Sequence, residues 1–167
     1  MKTIQVRRAI ESDVRAINAL YNTFVKDTAV TFDVQPTTDA ERMVWFSKFA
    51  DTGPHQIFVA EAEGIFLGYA GSMLFRVKEA YKTSVETTIY VDPEAQTGGV
   101  GTKLYQTLFD ALAKEDVHRA YAGISLPNAP SIALHEKQGF TLIGTYNEVG
   151  FKLGKYWDVA WYERRIS

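Results

Sequence analysis

Three glycines stand within four residues at Gly98, Gly99 and Gly101, between a strand-like run SVETTIYV (84–91) and a run with Leu104, Leu108, Ala111 and Leu112 at helical spacing. Glycine is poor in strands and poor in helices, so such a cluster marks either a demanding turn or a place where something approaches the backbone closely. A helix that starts on glycines also offers free backbone N–H groups at its positive dipole end, an arrangement that suits phosphate. Two familiar phosphate loops fail here. The dinucleotide fingerprint G-x-G-x-x-G does not match the order G-G-x-G, and Tyr121 stands where an acidic residue is needed. A P-loop needs Lys directly after its last glycine, whereas Gly101 is followed by Thr102 and then Lys103. What fits is Gln96-x-x-Gly99-x-Gly101 between a strand and a helix, with a plain strand-to-helix turn as the other reading these residues leave open.

The chain has 167 residues, 46% hydrophobic and 23% charged, which suits one globular domain spanning 1–167. Its net charge of −2 supplies no general field for nucleic acid or an anionic membrane, so any anionic ligand must be held locally. No nucleic-acid and no membrane partner is expected. There is no cysteine, which removes disulfides, thiolate metal sites and a cysteine nucleophile together, and fits a cytoplasmic location. The N-terminus MKTIQVRRAIESD has no apolar export core. HEKQG (135–139) lacks the second histidine of H-E-x-x-H, so no metal is implied.

Periodicity predicts the elements in turn. TIQVRRA alternates as a first strand, and Val14, Ile17, Leu20, Tyr21, Phe24 and Val25 fall at helical spacing in 11–27. Thr38 and Glu41 stand in capping-box register, which starts a second helix within TTDAERMVWFSKFAD. HQIFVAEAEGIFLGYAGSMLFR reads as two strands joined at Glu63-Gly64. After 84–91 and the glycine-led helix come the strand RAYAGISL and a short helix in NAPSIALHEKQG, with Asn128 as N-cap and Gly139 as its stop. A final pair of strands fills 140–166. The order β-α-α-β-β-β-α-β-α-β-β predicts an α/β domain with a mixed sheet.

The Q-x-x-G-x-G loop resembles the pyrophosphate loop of the GNAT superfamily of acetyl-CoA-dependent N-acetyltransferases. Asn128 through Phe140 is similar to that superfamily's second signature, and the element order is also the GNAT order. FRVKEAYKTSVETTIYV and GFKLGKYWDVAWY resemble the branch that contains phosphinothricin and methionine sulfone/sulfoximine acetyltransferases. The resemblance implies a mixed, mostly antiparallel sheet of about seven strands flanked by four helices, splayed at the acetyl-CoA site. It also implies direct acetyl transfer, without an acyl-enzyme, to a small-molecule amine by a homodimer.

By that resemblance, the loop Thr97, Gly98, Gly99, Val100, Gly101 and Thr102 receives pyrophosphate, and Ile89, Tyr90 and Val91 pair with the pantetheine arm. Asn128, Ser131 and Lys137 face the cofactor from one helix, although Asn128 could equally be only a cap. Glu86 becomes the base. It alternates with Val85, Thr87 and Ile89 and shares its face with Thr88 and Tyr90; a carboxylate there would attract an ammonium and then accept its proton. A solvent-facing strand glutamate is the bland alternative. His135 stands where many GNAT enzymes carry a tyrosine that protonates the departing thiolate, as it does in the phosphinothricin branch. With an ordinary pKa of about 6.5 it could give that proton or share the base role.

In the same branch two basic residues grip the anionic end of the acceptor. Arg76 and Lys78 occupy those positions, in the reverse of the branch's order; two solvated loop charges are the alternative. Phe32, Tyr81, Thr87 and Thr88 complete the implied acceptor pocket, and Trp157 and Trp161 either cover it or sit at a subunit interface. Other readings are acetylation of a peptide N-terminus, an aminoglycoside or a polyamine, or a CoA sensor without turnover. The basic pair argues for an anionic acceptor, and retention of Glu86 with His135 argues against a sensor.

Overall fold

The computed structural model describes residues 3–95 and 97–167. Gln96, the first residue of the glycine motif, lies outside the described residues, as do Met1 and Lys2. Among the described residues seven strands form one sheet: β1 (Gln5–Arg8), β2 (Ile57–Ala62), β3 (Ile65–Leu74), β4 (Ser84–Val91), β5 (Arg119–Ser125), β6 (Thr141–Lys152) and β7 (Lys155–Arg165). Their order is β1-β2-β3-β4-β5-β7-β6. Every pairing is antiparallel except β4 with β5. No described helix is long and apolar enough to cross a membrane.

The helices are α1 (Val14–Asp27), α2 (Asp39–Phe46), α3 (Val100–Leu112) and α4 (Ala129–Lys137). Their apolar faces create two cores on opposite sides of the sheet. On one side Leu104, Leu108 and Leu112 of α3 pack with Val85, Ala120 and Tyr162, all at most 4% exposed. On the other, Ile17 and Leu20 of α1 meet Ile57, Val59 and Tyr69. Each fully buried leucine contributes roughly 1.5–3 kcal/mol relative to exposure. The alternation of β4 follows this division: Val85 and Ile89 belong to the first core, Tyr90 to the second.

The capping box forms as the spacing predicts, with Glu41 N–H donating to Thr38 Oγ1 and Thr38 N–H donating to the Glu41 carboxylate. The helix ends at Phe46. Beyond it Lys48 and Phe49 make tighter three-residue bonds, and Phe49 folds back edge-on against Trp45.

Candidate active site

The parallel ladder between β4 and β5 has only three rungs, at Ser84–Arg119, Val85–Ala120 and Glu86–Tyr121. Beyond them the strands diverge, and a slot opens between Thr87–Tyr90 and Ala122–Ser125, closed at its end by Asn128, Ser131 and His135. On its other edge β4 stays paired with β3 through Val91, and Asp92 N–H donates to Leu67 O. With a period of two, the N–H groups of Val91 and Ile89 then turn toward the slot, while those of Tyr90 and Thr88 turn toward β3. An extended arm laid in the slot would therefore meet unpaired donors and acceptors along β4.

The three glycines between β4 and α3 have different physical reasons. Gly99 is the N-cap of α3 with φ +87, a conformation few other residues adopt cheaply. A side chain at Gly98 would meet nothing within 4 Å, so this backbone faces open space. Gly101 differs: a Cβ there would come within 2.8 Å of Leu134, so its smallness lets α3 approach α4. The first bond after the loop runs from Lys103 N–H to Gly99 O at 3.0 Å, which leaves the amides of Gly99, Val100, Gly101 and Thr102 ahead of the helical ladder. Amides free at a dipole end, with open space beside Gly98, fit a diphosphate. Thr97 and Gly98 also border a second cavity of about 660 Å³ beside Lys103. The Val100 side chain is core, while Lys137 is exposed on α4 and borders none of these cavities.

On the opposite face lies a cavity of about 760 Å³ whose wall holds Glu86, Thr87, Thr88, Tyr90 and Phe32 together. It shares Thr87, Thr88, Tyr90, Gly123 and Ser125 with the slot, so the two spaces meet at the splay. Burial pushes the Glu86 carboxyl above the usual carboxylate range, and the positive charge of Arg76 draws it partly back. The carboxylate has no hydrogen-bond or ion-pair partner among the described residues. An anion in that state attracts an ammonium and binds its proton more strongly than a solvated glutamate does. Phe32 lies across the backbone of Gly150, where a Cβ would meet its ring at 2.8 Å or less.

His135 is 3% exposed and both ring nitrogens are engaged. Nδ1 lies 2.7 Å from the Ser131 carbonyl, which can only accept, so Nδ1 carries the proton. Nε2 then accepts from the Tyr105 hydroxyl at 2.8 Å. Burial pushes the ring's pKa down, partly opposed by the Ser131 bond, so the imidazole is neutral near pH 7. Asn128 caps α4 by accepting from Ser131 N–H at 3.2 Å while also lining the slot, so the cap and the slot position coexist.

Other residues stand apart. Arg76 and Lys78 are exposed and outside the cavity lining; the Arg76 guanidinium stacks 4.4 Å over Phe75 and 6.0 Å from Trp161, whose ring does line the cavity. Tyr81 packs edge-on against Phe75 at the same rim. Trp157 is tied into the β6–β7 hairpin, donating to Lys152 O at 2.8 Å. Among the wall residues that sequence reasoning missed are Tyr21, Asp33 and Arg42. Tyr21 was legible only as core, and its hydroxyl in fact donates to Asp33 at 2.5 Å. Arg42 lies three residues before Trp45, and a cation at that spacing from an aromatic was the only available signal.

The pattern of known proteins agrees with this geometry. The model of the acetyltransferase (GNAT) family matches residues 17–140. The chain is similar to a phosphinothricin N-acetyltransferase of Streptomyces coelicolor, with 52% identity over 98% of this chain and 96% of that one. It is 32% identical to an L-methionine sulfoximine/L-methionine sulfone acetyltransferase of Pseudomonas aeruginosa, over 97% and 94% of the two chains. Among solved structures, a phosphinothricin acetyltransferase from Sinorhizobium meliloti in complex with acetyl-CoA superposes with a TM-score of 0.91 at 33% identity, covering 98% of this chain and 88% of that one.

Proposed function

Because the chain belongs to the GNAT family of acetyltransferases, we propose that it moves acetyl from acetyl-CoA directly to the α-amine of a small amino acid with a tetrahedral oxidised or anionic head group. Phosphinothricin, methionine sulfoximine and methionine sulfone are the acceptors in view, since these are what its relatives' names carry. One observation carries the reading: Glu86 faces a cavity that joins the β4–β5 slot at Thr87–Tyr90, so an amine held by Glu86 can reach a group held in the slot.

In this mechanism the loop amides of Gly99–Thr102 hold the pyrophosphate and the open edge of β4 aligns the pantetheine arm. Asn128 and Ser131 line the far end, while Lys137 stands at the exposed end of the same helix. Glu86 draws in the ammonium and takes its proton, directly or through water. A slot-facing N–H of Ile89 or Val91 receives the oxyanion as the amine nitrogen attacks the carbonyl. His135 is not free to act as the first proton donor, because Nε2 accepts from Tyr105. The departing thiolate takes the second proton of the amine nitrogen, released as the amide forms, beside the Tyr105 hydroxyl that lines the slot. Phe32, Thr87 and Thr88 wall the acceptor. Arg76, Lys78 and Tyr81 guard the rim, where the two cations steer anionic acceptors inward.

The direct test follows CoA release with a thiol reagent, with phosphinothricin, methionine sulfone, methionine sulfoximine, methionine and spermidine as acceptors. Turnover of the first three without spermidine supports the reading, and turnover of spermidine alone overturns it. Neutralising the rim with Arg76→Met and Lys78→Met should raise KM for phosphinothricin about tenfold, diminishing as salt screens the pair, with KM for acetyl-CoA unchanged. Unaltered KM in both variants would remove the rim from acceptor binding.

We extend the proposal to a single catalytic domain over 1–167 acting in the cytoplasm as a homodimer. The support for a dimer is β6, an edge strand on which Leu142, Ile143, Tyr146, Val149 and Phe151 are all exposed. Sedimentation should give twice the mass of one chain, and Ile143→Lys with Phe151→Lys should return the single-chain mass. A wild-type monomer at micromolar concentration would remove the dimer.

A further inference from the structure

Arg42, in the first turns of α2, is a buried cation with no counter-ion among the described residues. It is 5% exposed. Its hydrogen-bonding partners are neutral: Nε donates to Asn18 Oδ1 at 3.3 Å and Nη2 to Thr37 Oγ1 at 3.1 Å. The guanidinium lies against two aromatic faces, 4.0 Å from the Tyr21 ring centre and 4.7 Å from that of Trp45. Nη1 has no partner among the described residues, and it is not among the buried polar atoms left unsatisfied, so it reaches open space. That space is the acceptor cavity, which Arg42 lines.

A charge taken out of water without a counter-ion is costly, and ring faces with neutral acceptors recover only part of the loss. Tying α1 to the start of α2 through Asn18 and Thr37 would need only a neutral donor. A planar fork whose outer N–H groups face a cavity is instead complementary to a carboxylate or another oxyanion. The cavity's carboxylates support this assignment. Asp33 is engaged by the Tyr21 hydroxyl and Glu41 by Thr38, which leaves Glu86 as the wall carboxylate without a hydrogen bond among the described residues and Arg42 as the wall cation whose hydrogen-bonding partners are all neutral. One suits an ammonium and the other an anion, as a zwitterion requires.

We propose that Arg42 is the oxygen receptor of the acceptor cavity, gripping a carboxylate or head-group oxygen of the amino acid while Glu86 takes its amine. This rests on the amino-acid reading above and adds to it a specificity-determining residue on α2, distinct from the exposed rim pair. The oxygen gripped belongs to the α-carboxylate or to the oxidised head group, and the choice of acceptors separates the two.

The experiment measures CoA release at saturating acetyl-CoA for the wild-type chain, Arg42→Met and Arg42→Lys. The acceptors are methionine sulfone, its primary carboxamide and methionine. Losing a charge-assisted contact should raise KM of Arg42→Met for methionine sulfone about 10- to 100-fold, with kcat and KM for acetyl-CoA nearly unchanged. Arg42→Lys should fall between, because a point charge replaces the fork. If the carboxylate is gripped, the carboxamide is insensitive to Arg42→Met; if the head group, methionine is insensitive. An equal loss with all three acceptors would overturn the assignment and leave Arg42 a wall residue only. Should Arg42→Met fail to fold by thermal melting, Arg42→Lys carries the same acceptor-dependent test. No turnover of any of the three by the wild-type chain would be a different failure: it overturns the amino-acid reading and this assignment with it.

Discussion

Replacing Glu86 with glutamine should lower kcat about 10²- to 10⁴-fold at pH 7 while KM for acetyl-CoA stays within about twofold, the range expected for loss of a positioned general base. The amide keeps the size and much of the polarity of the side chain, so the cavity and the slot stay as they are. What disappears is the charge that draws in an ammonium and the lone pair that accepts its proton. The wild-type pH profile supplies an internal control. Glu86 must be ionised to work, and burial raises its pKa above 4.5, so activity should fall as pH drops through that raised value. The variant should lose this limb. Stability should move the opposite way from activity. A carboxyl whose folded pKa is raised costs the fold stability above that pKa and costs nothing once it is protonated in both states. Glu86→Gln should therefore be at least as stable as the wild type at neutral pH, with the advantage vanishing below pH 4.5. Full kcat in the variant would remove Glu86 from the chemistry.

The second large effect is structural and falls on the cofactor strand. Gly68 lies on β3 with φ +153, opposite Val91 of β4 and beside a register shift in the β2–β3 ladder. A Cβ at Gly68 would stand 2.9 Å from Val91 Cα and closer still to the Tyr90 carbonyl oxygen. Both obstacles are backbone, so no rotamer change relieves them. Overpacking of this kind costs about 1–3 kcal/mol, and the unfavourable φ adds about 1 kcal/mol or more. Gly68→Ala should therefore lose about 3 kcal/mol and lower Tm by roughly 6–12 °C for a chain of this length. Relief by moving β4 would displace Ile89–Val91, so KM for acetyl-CoA should rise together with the loss of stability. A Tm unchanged to within about 2 °C would mean that the β3–β4 contact yields easily.

Much of this was legible in the sequence because it is written in local periods. The two-residue alternation of SVETTIYV assigned Glu86, Thr88 and Tyr90 to one face, and that face lines the larger cavity. Thr38 with Glu41, and Asn128 ahead of Ser131, announced their caps at fixed offsets, and both caps form. Contacts that join distant parts of the chain carried no such signal. The Tyr105–His135 bond links positions 30 residues apart, and no pattern in either helix reveals that the imidazole has an engaged Nε2. Arg42 drew no notice in the sequence because the rings that shelter it come from α1 and from its own later turn. The motif treated its glycines alike, whereas Gly101 is also explained by Leu134, a residue of a different helix. Arg76 and Lys78 are exposed, and only the folded chain shows that Arg76 stands over Phe75 and near Trp161 of the cavity wall.

The three-rung ladder between β4 and β5 has a mechanical meaning beyond making room. Past Glu86 and Tyr121 the sheet is two plates, β1 to β4 and β5 to β6, hinged along a short seam. An arm that hydrogen-bonds along β4 takes the place of the missing rungs and becomes, for one turnover, a structural member of the fold. Loading the donor then braces the walls of the acceptor cavity, since Thr88 and Tyr90 stand on one plate and Gly123 and Trp161 on the other. On the function proposed above, the donor would square a frame that the bare sheet leaves open on one side.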